Sequence, residues 1–175
     1  MPLNEPTFAD LLARCTRSAV HLEMRDQYAV SDEAEDFALW LSTGERDTDP
    51  ASENWASWVD LISEAGARGV IVRRARIVSE PVTDYIRWEH SGTVVNIHAG
   101  EDVRWLPRRH ASGIALPGND FWLFDDSVIR WNHFTGDGEW AGQRISDDPG
   151  EAKLCSEAFA TVWAHAISHD EYKIR

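Results

Sequence analysis

Between residues 121 and 145 three short segments, "FWLF", "VIRWNHF" and "EWAGQRI", follow one another, separated only by Asp125-Asp126-Ser127 and by "TGDG". Short Asp- and Gly-bearing turns between alternating segments are the signature of antiparallel hairpins. This part of the chain is therefore committed to an antiparallel sheet. Phe121–Phe124 has no polar face, which predicts a strand buried on both sides, with Asn119-Asp120 and Asp125-Asp126 marking where it enters and leaves the core. A sharper alternative places Asp120 or Asp125 at the rim of an aromatic pocket.

The remaining segments surround that sheet with helices. Thr7 and Asp10 have capping-box spacing, and Phe8, Leu11, Leu12 and Cys15 follow at helical intervals. "AVHLEM" alternates and reads as a strand with His21 and Glu23 on one face. Ser31 is the expected cap of a second helix carrying Ala34, Phe37, Ala38 and Leu41, and a third runs from about Glu53 to Ala65 with Trp55, Trp58, Val59 and Ile62 as its stripe. "VIVRRARIVSEP" is a strand stopped by Pro81. "DYIRWEH", "TVVNIH" and "VRWLP" read as further short strands. In "DYIRWEH" Tyr85, Arg87 and Glu89 would share one face, and Ile86 and Trp88 the other. Asp148-Pro149, with Glu151 three residues after Asp148, opens a last helix. The fold class expected is α+β: an antiparallel sheet in the second half, packed with N-terminal helices and one C-terminal helix. At 175 residues the whole chain, 1–175, reads as a single globular domain. Its expected core contains Phe8, Leu11, Phe37, Leu41, Trp55, Val59, Ile62, Leu123, Phe159 and Val162.

Charge narrows the function classes. The net charge is −13, and it is uneven: −10 over residues 1–66, +3 over 67–110 and −6 over 111–175. An acidic body repels phosphate backbones, so direct nucleic-acid binding is not expected. The basic middle could receive a small anion or the acidic face of a partner. No apolar run approaches the length of a membrane span, and the N-terminus has no signal-like core, so the expectation is a cytoplasmic protein with no membrane association. Cys15 and Cys155 both fall on apolar helical faces and read as free buried thiols.

Motifs for chemistry are absent. Seven histidines form no compact ligand set, so neither a metal nor another cofactor is expected. There is no GxSxG, Walker A or GxGxxG, and no residue can be named as catalytic. Adjacent carboxylates such as Asp125-Asp126 and Asp147-Asp148 read as turn chemistry. What remains is a polar and aromatic cluster between residues 85 and 126. Tyr85, Arg87, Glu89, Arg104, Trp105, Asp120, Trp122 and Asp125 are its candidate binding residues, since arginine stacked on tryptophan and paired to carboxylate can recognise a ligand.

The strings "SEPVTDYIRWE", "GEDVRWLPR" and "FWLFDD", together with "DQYAV" near the start and "DDP" before the last helix, resemble the actinobacterial domain-of-unknown-function family DUF6879 over roughly Phe8 to Tyr172. The resemblance implies a companion of helix-turn-helix transcriptional regulators and transfers no catalytic residue. Two functional expectations follow. The first is a non-enzymatic cytoplasmic interaction or sensing module whose protein partner is a helix-turn-helix regulator. The alternative is a small enzyme or binding protein for an anionic metabolite or nucleotide, using Arg87, Glu89, Arg104 and Asp125.

Overall fold

The computed structural model describes residues 5–175. A seven-stranded sheet in the order β6-β5-β4-β1-β2-β3-β7 carries helices on both faces, which is an α+β arrangement. Its strands are β1 (Ser18–Glu23), β2 (Ile71–Val78), β3 (Glu101–Pro107), β4 (Asp120–Phe124), β5 (Val128–Phe134), β6 (Trp140–Ser146) and β7 (Ile167–Ser168). The helices are α1 (Phe8–Arg14), α2 (Ala34–Thr43), α3 (Ala56–Ala67), α4 (Asp84–Ala99) and α5 (Pro149–His165). The hairpins expected from residues 121–145 form: β4, β5 and β6 pair antiparallel in sequence order. β1 joins β4 antiparallel, and β1, β2 and β3 run parallel to one another. The parallel pairs need crossovers, and α3 and α4 supply them, one between β1 and β2 and the other between β2 and β3.

Local chemistry fixes the ends of these elements. Thr7 and Asp10 form the reciprocal capping box, the Asp10 carboxylate accepting the Thr7 N–H at 2.9 Å and Thr7 Oγ1 accepting the Asp10 N–H at 3.2 Å. Asp148 accepts the Glu151 N–H at 2.9 Å and Pro149 occupies the first turn of α5. Asp125 and Asp126 both adopt left-handed backbone, turning β4 into β5. The Asp125 carboxylate then accepts the N–H groups of Thr16, Arg17 and Ser18 at 2.7–3.0 Å, tying the hairpin to the start of β1.

Three readings are corrected. "DYIRWEH" and "TVVNIH" are not strands; they are the two halves of α4. Thr83 caps this helix by accepting the Ile86 N–H at 3.2 Å, and Tyr85, Trp88, Gly92, Val95 and Ala99 make its buried stripe. Gly92 is a point of close approach: a Cβ at that position would lie 2.5 Å from Nη2 of Arg46, whose guanidinium rests on the helix. Ser31 does not cap α2; it opens a 3₁₀ turn, Ser31–Glu33, that leads into the helix. The expected core is likewise half right. Leu11, Ile62, Leu123, Phe159 and Val162 are buried, Phe8, Phe37, Trp55 and Val59 are half-buried, and Leu41 is 54% exposed. Helix α2 packs outside α4 through Phe37, which meets Tyr85 and Trp88, so its far side faces solvent.

The two faces of the sheet differ. On the α5 face, Val20, Leu22, Ala75, Ile77, Leu106, Phe121, Leu123 and Ile129 form one apolar layer closed by Phe159 and Val162. The opposite face carries two separate apolar clusters. One joins α1 and α3 to Trp122 and Phe124, and the other joins α4 to Val103 and Trp105. "FWLF" is buried on both sides, as its lack of a polar face predicts: Phe121 and Leu123 point to α5, Trp122 and Phe124 to α1. Cys15 and Cys155 are buried and unpaired. Among the described residues no helix is long and apolar enough to cross a membrane.

Candidate functional site

Between the two apolar clusters of the helical face, alternate positions of the central strands are charged. His21 and Glu23 come from β1, Arg74 and Arg76 from β2, Glu101 from β3, Asp120 from β4 and Asn132 from β5. Strand register brings them side by side: His21 lies opposite Arg74, Glu23 opposite Arg76 and Asp120 opposite Asn132. Above them, Glu33, Arg46, Trp55, Trp58, Tyr85 and Glu89 complete a cavity of about 300 Å³. That is the lower end of the size range of small-molecule sites, roughly 300–1,000 Å³.

The floor is an ion-pair network. Arg74 donates from Nε to Glu101 at 2.7 Å and from Nη1 to Glu23 at 3.3 Å. Arg76 donates to Glu23, to Glu89 (both 2.6 Å) and to the Thr93 hydroxyl at 2.8 Å. Trp58 Nε1 and Asn96 Nδ2 bond the Glu101 carboxylate at 2.7 and 2.8 Å. Burial alone would raise the Glu23 carboxyl, but Arg76 and Arg74 outweigh it and hold Glu23 well below the usual carboxylate range. Burial likewise opposes the charge on Arg76, and Glu89 and Glu23 overcome it, so Arg76 stays firmly protonated. His21 lies flat on Trp122, ring centroids 4.4 Å apart. Its Nδ1 is 2.8 Å from the Phe121 carbonyl and its Nε2 3.3 Å from Glu23.

Two carboxylates behave differently. Asp120, 3% exposed, accepts a short hydrogen bond from the Tyr28 hydroxyl and one from the Met24 N–H at 2.9 Å. Glu33 accepts the Tyr85 hydroxyl at 2.7 Å. Neither has an arginine within ion-pair distance among the described residues. Burial, reinforced by Glu23, raises Asp120 to about 6; burial, reinforced by Glu89, raises Glu33 to about 7. The rings of Tyr28 and Tyr85 are 5.8 Å apart, so the two carboxyl–tyrosine pairs share one wall of the cavity.

Of the expected binding residues, Tyr85, Glu89 and Asp120 line this cavity, and Trp122 lies beneath it against His21. The other four do not join them. Arg87 is exposed on the outer side of α4, because a helix sends residue 87 away from residues 85 and 89 rather than alongside them. Arg104 points to the α5 face and lies over Trp163, 4.3 Å from the ring centroid. Trp105 is fully buried, stacked on Tyr172. Asp125 is occupied by the backbone of residues 16–18 at the far end of β4. The residues missed are His21, Glu23, Tyr28, Glu33, Arg46, Arg74, Arg76 and Asn132. One signal was present: His21 and Glu23, and Arg74 and Arg76, alternate in segments read as strands, which puts each pair on one face.

The chain matches the model of DUF6879, a domain of unknown function, over residues 6–174. It belongs to this family. Among curated proteins none matches it. Similar solved structures do exist. One is the crystal structure of Nuc from Salmonella typhimurium, a phospholipase D family member: it is 11% identical, 91% of this chain and 86% of that one are covered, and the TM-score is 0.53. Another is NucT from Helicobacter pylori, 9% identical, with 91% of this chain and 87% of that one covered and a TM-score of 0.50. At such identities the likeness is one of fold. It still contradicts the expectation of a non-enzymatic interaction module, because the fold it shares is that of a phospholipase D family member. The earlier reading rested on missing linear motifs, and the charged cluster here is assembled from separate strands and helices that no local motif records. Arg74 and Arg76 are already bound by carboxylates, and four carboxylates (Glu23, Glu33, Glu89 and Asp120) line the cavity beside three guanidiniums.

Proposed function

We propose that this cavity is the active site of an enzyme that moves protons on a small polar substrate, with Asp120 and Glu33 as its acid and base. One observation carries the reading: two carboxyls without a cationic partner, each held by a tyrosine hydroxyl, face one aromatic-walled cavity. Between about pH 6 and 7 Asp120 is largely ionised and Glu33 largely protonated. Groups pushed to neighbouring values near neutrality can accept a proton at one atom and return one at another. The ion-paired floor of Glu23, Arg74, Arg76 and Glu101 fixes the position of both strands beneath them. The likeness to an enzyme fold supports the reading, and the cavity's size and excess of carboxylate favour a small substrate over a phosphate polymer.

Turnover of chromogenic p-nitrophenyl esters, glycosides and phosphodiesters, followed from pH 5 to 8.5, tests this together with carboxyl titration by NMR. The expected result is turnover of one substrate class with limbs near pH 6 and 7, reduced by about 100-fold or more in Asp120→Asn. Carboxyl signals of Asp120 and Glu33 that both titrate near 4 would remove the acid–base assignment.

A further inference from the structure

The cavity's unmet bonding groups describe what should enter it. Of the four carboxylates that line it, two are neutralised, Glu23 and Glu89, both by Arg76. Glu33 and Asp120 are not. The third guanidinium, Arg46, lies 3.5 Å from the ring centroid of Trp88 and makes no ion pair among the described residues. A second and independent feature is Asn132. It lines the cavity and is 7% exposed, and its Oδ1 has no hydrogen-bond donor among the described residues. A buried acceptor left unpaired is unfavourable, so it marks a place where a donor belongs. The walls include the aromatic side chains of Trp55, Trp58, Tyr28, Phe134 and Trp140.

We propose that the cavity binds a planar organic cation rich in N–H groups, of the amidinium, guanidinium or protonated amino-heterocycle class. Asp120 and Glu33 face its charge, Asn132 Oδ1 accepts one of its N–H groups, and the aromatic rings cover its faces. Aromatic rings beside carboxylates attract cations through the negative ring face as well as through direct charge. A carboxylate-bearing ligand would meet two like charges, and the one lining guanidinium free of an ion pair, Arg46, is held against the Trp88 ring with its Nη1 unpartnered among the described residues. The inference rests on the reading above only for the place of the site, and it requires no turnover.

Benzamidine is a suitable probe, since it is flat and cationic, with neutral benzamide and anionic benzoate as near-isosteres. Binding to the full chain is measured by calorimetry and by quenching of tryptophan fluorescence at pH 7.5. The expected result is saturable benzamidine binding at least about tenfold tighter than that of benzamide, with none by benzoate, and loss of that preference in Asp120→Asn. Glu33→Gln is the second variant should Asp120→Asn fail to fold. Benzamide or benzoate binding as tightly as benzamidine overturns the proposal, as does no benzamidine binding at millimolar concentration. Selective binding without turnover of any chromogenic substrate leaves the ligand class standing and counts against the enzymatic reading alone. Turnover without cation preference does the reverse.

Discussion

The same strands present opposite chemistry on their two faces. In β2 the sequence Val72-Arg73-Arg74-Ala75-Arg76-Ile77 sends Ala75 and Ile77 into the apolar layer beneath α5 and Arg74 and Arg76 into the charged floor of the cavity. β1 does likewise, with Val20 and Leu22 on one side and His21 and Glu23 on the other. Apolar burial contributes roughly 25 cal/mol per Å². A buried ion pair at best roughly offsets the desolvation of its members, and isosteric apolar residues often serve stability as well or better. The apolar layer beneath α5, with the two apolar clusters that flank the cavity, therefore supplies the stability. The cavity face holds a charged arrangement that stability does not require, and this is the strongest structural argument that it has a function.

The largest expected effects test that division. Phe159→Ala, on the buried face of α5, should cost about 3–5 kcal/mol in urea melts. Arg76→Leu should cost a similar amount, about 3–5 kcal/mol, for a different reason: it leaves Glu89 buried without its cation and Glu23 with Arg74 alone. The comparison is sharpened by rescue. Adding Glu23→Leu and Glu89→Gln to Arg76→Leu should restore most of the lost stability, whereas no polar substitution nearby rescues Phe159→Ala. A triple variant as unstable as Arg76→Leu alone would show that the charged floor is itself a source of stability, and the two faces would no longer differ in role.

The next effect in size concerns pH. Asp120 and Glu33 have folded-state values above their unfolded ones, about 6 against 3.8 and about 7 against 4.5. Below about pH 4 both states hold these protons. As pH rises the unfolded chain releases them first, so the native state loses up to about 3 kcal/mol per group by the time pH passes the folded values. Glu23, held low by Arg76 and Arg74, has the opposite sign: its contribution is present above its unfolded value and lost in acid. Asp120→Asn and Glu33→Gln should therefore gain on the wild type between pH 5 and 7.5, by roughly 1–3 kcal/mol. Urea melts at the two pH values measure this, and a difference between variant and wild type that is independent of pH would return both carboxyls to ordinary values.

How much of this was legible depended on whether the signal was local. The Thr7–Asp10 box, the Asp148-Pro149 start of α5 and the β4–β5–β6 hairpins rest on contacts within a few residues, and sequence spacing found them all. α4 was missed because seven residues, "DYIRWEH", fit a two-residue period as well as a helical one. The helical stripe becomes unmistakable only when Tyr85, Trp88, Gly92, Val95 and Ala99 are taken together. The site was largely illegible for a related reason. Asp120 was singled out, but its partner Tyr28 is 92 residues away, and Glu33 meets Tyr85 across 52 residues. Arg87, which looked poised in a strand, is turned outward by the helix, and Arg104 is turned to the other face of the sheet by the alternation of β3.

The smallest expected effect lies at the seam between the cavity and the packing around α4. Gly92 is in the middle of that helix, where alanine would be favoured by about 1 kcal/mol. The new Cβ, however, would occupy the place of the Arg46 guanidinium, which now lies 3.5 Å from the Trp88 ring centroid. The flexible end of Arg46 can move away, giving up a cation–π contact of about 1–2 kcal/mol. The two effects oppose each other, so Gly92→Ala alone should change stability by less than about 1 kcal/mol. In an Arg46→Ala background nothing is displaced, and the same substitution should stabilise the protein by about 1 kcal/mol. A double-mutant cycle isolates the difference, and the accompanying change in tryptophan fluorescence reports Arg46 leaving Trp88. If Gly92→Ala has the same effect in both backgrounds, Arg46 is not seated on the helix, and the cavity has an open side where this structure places a wall.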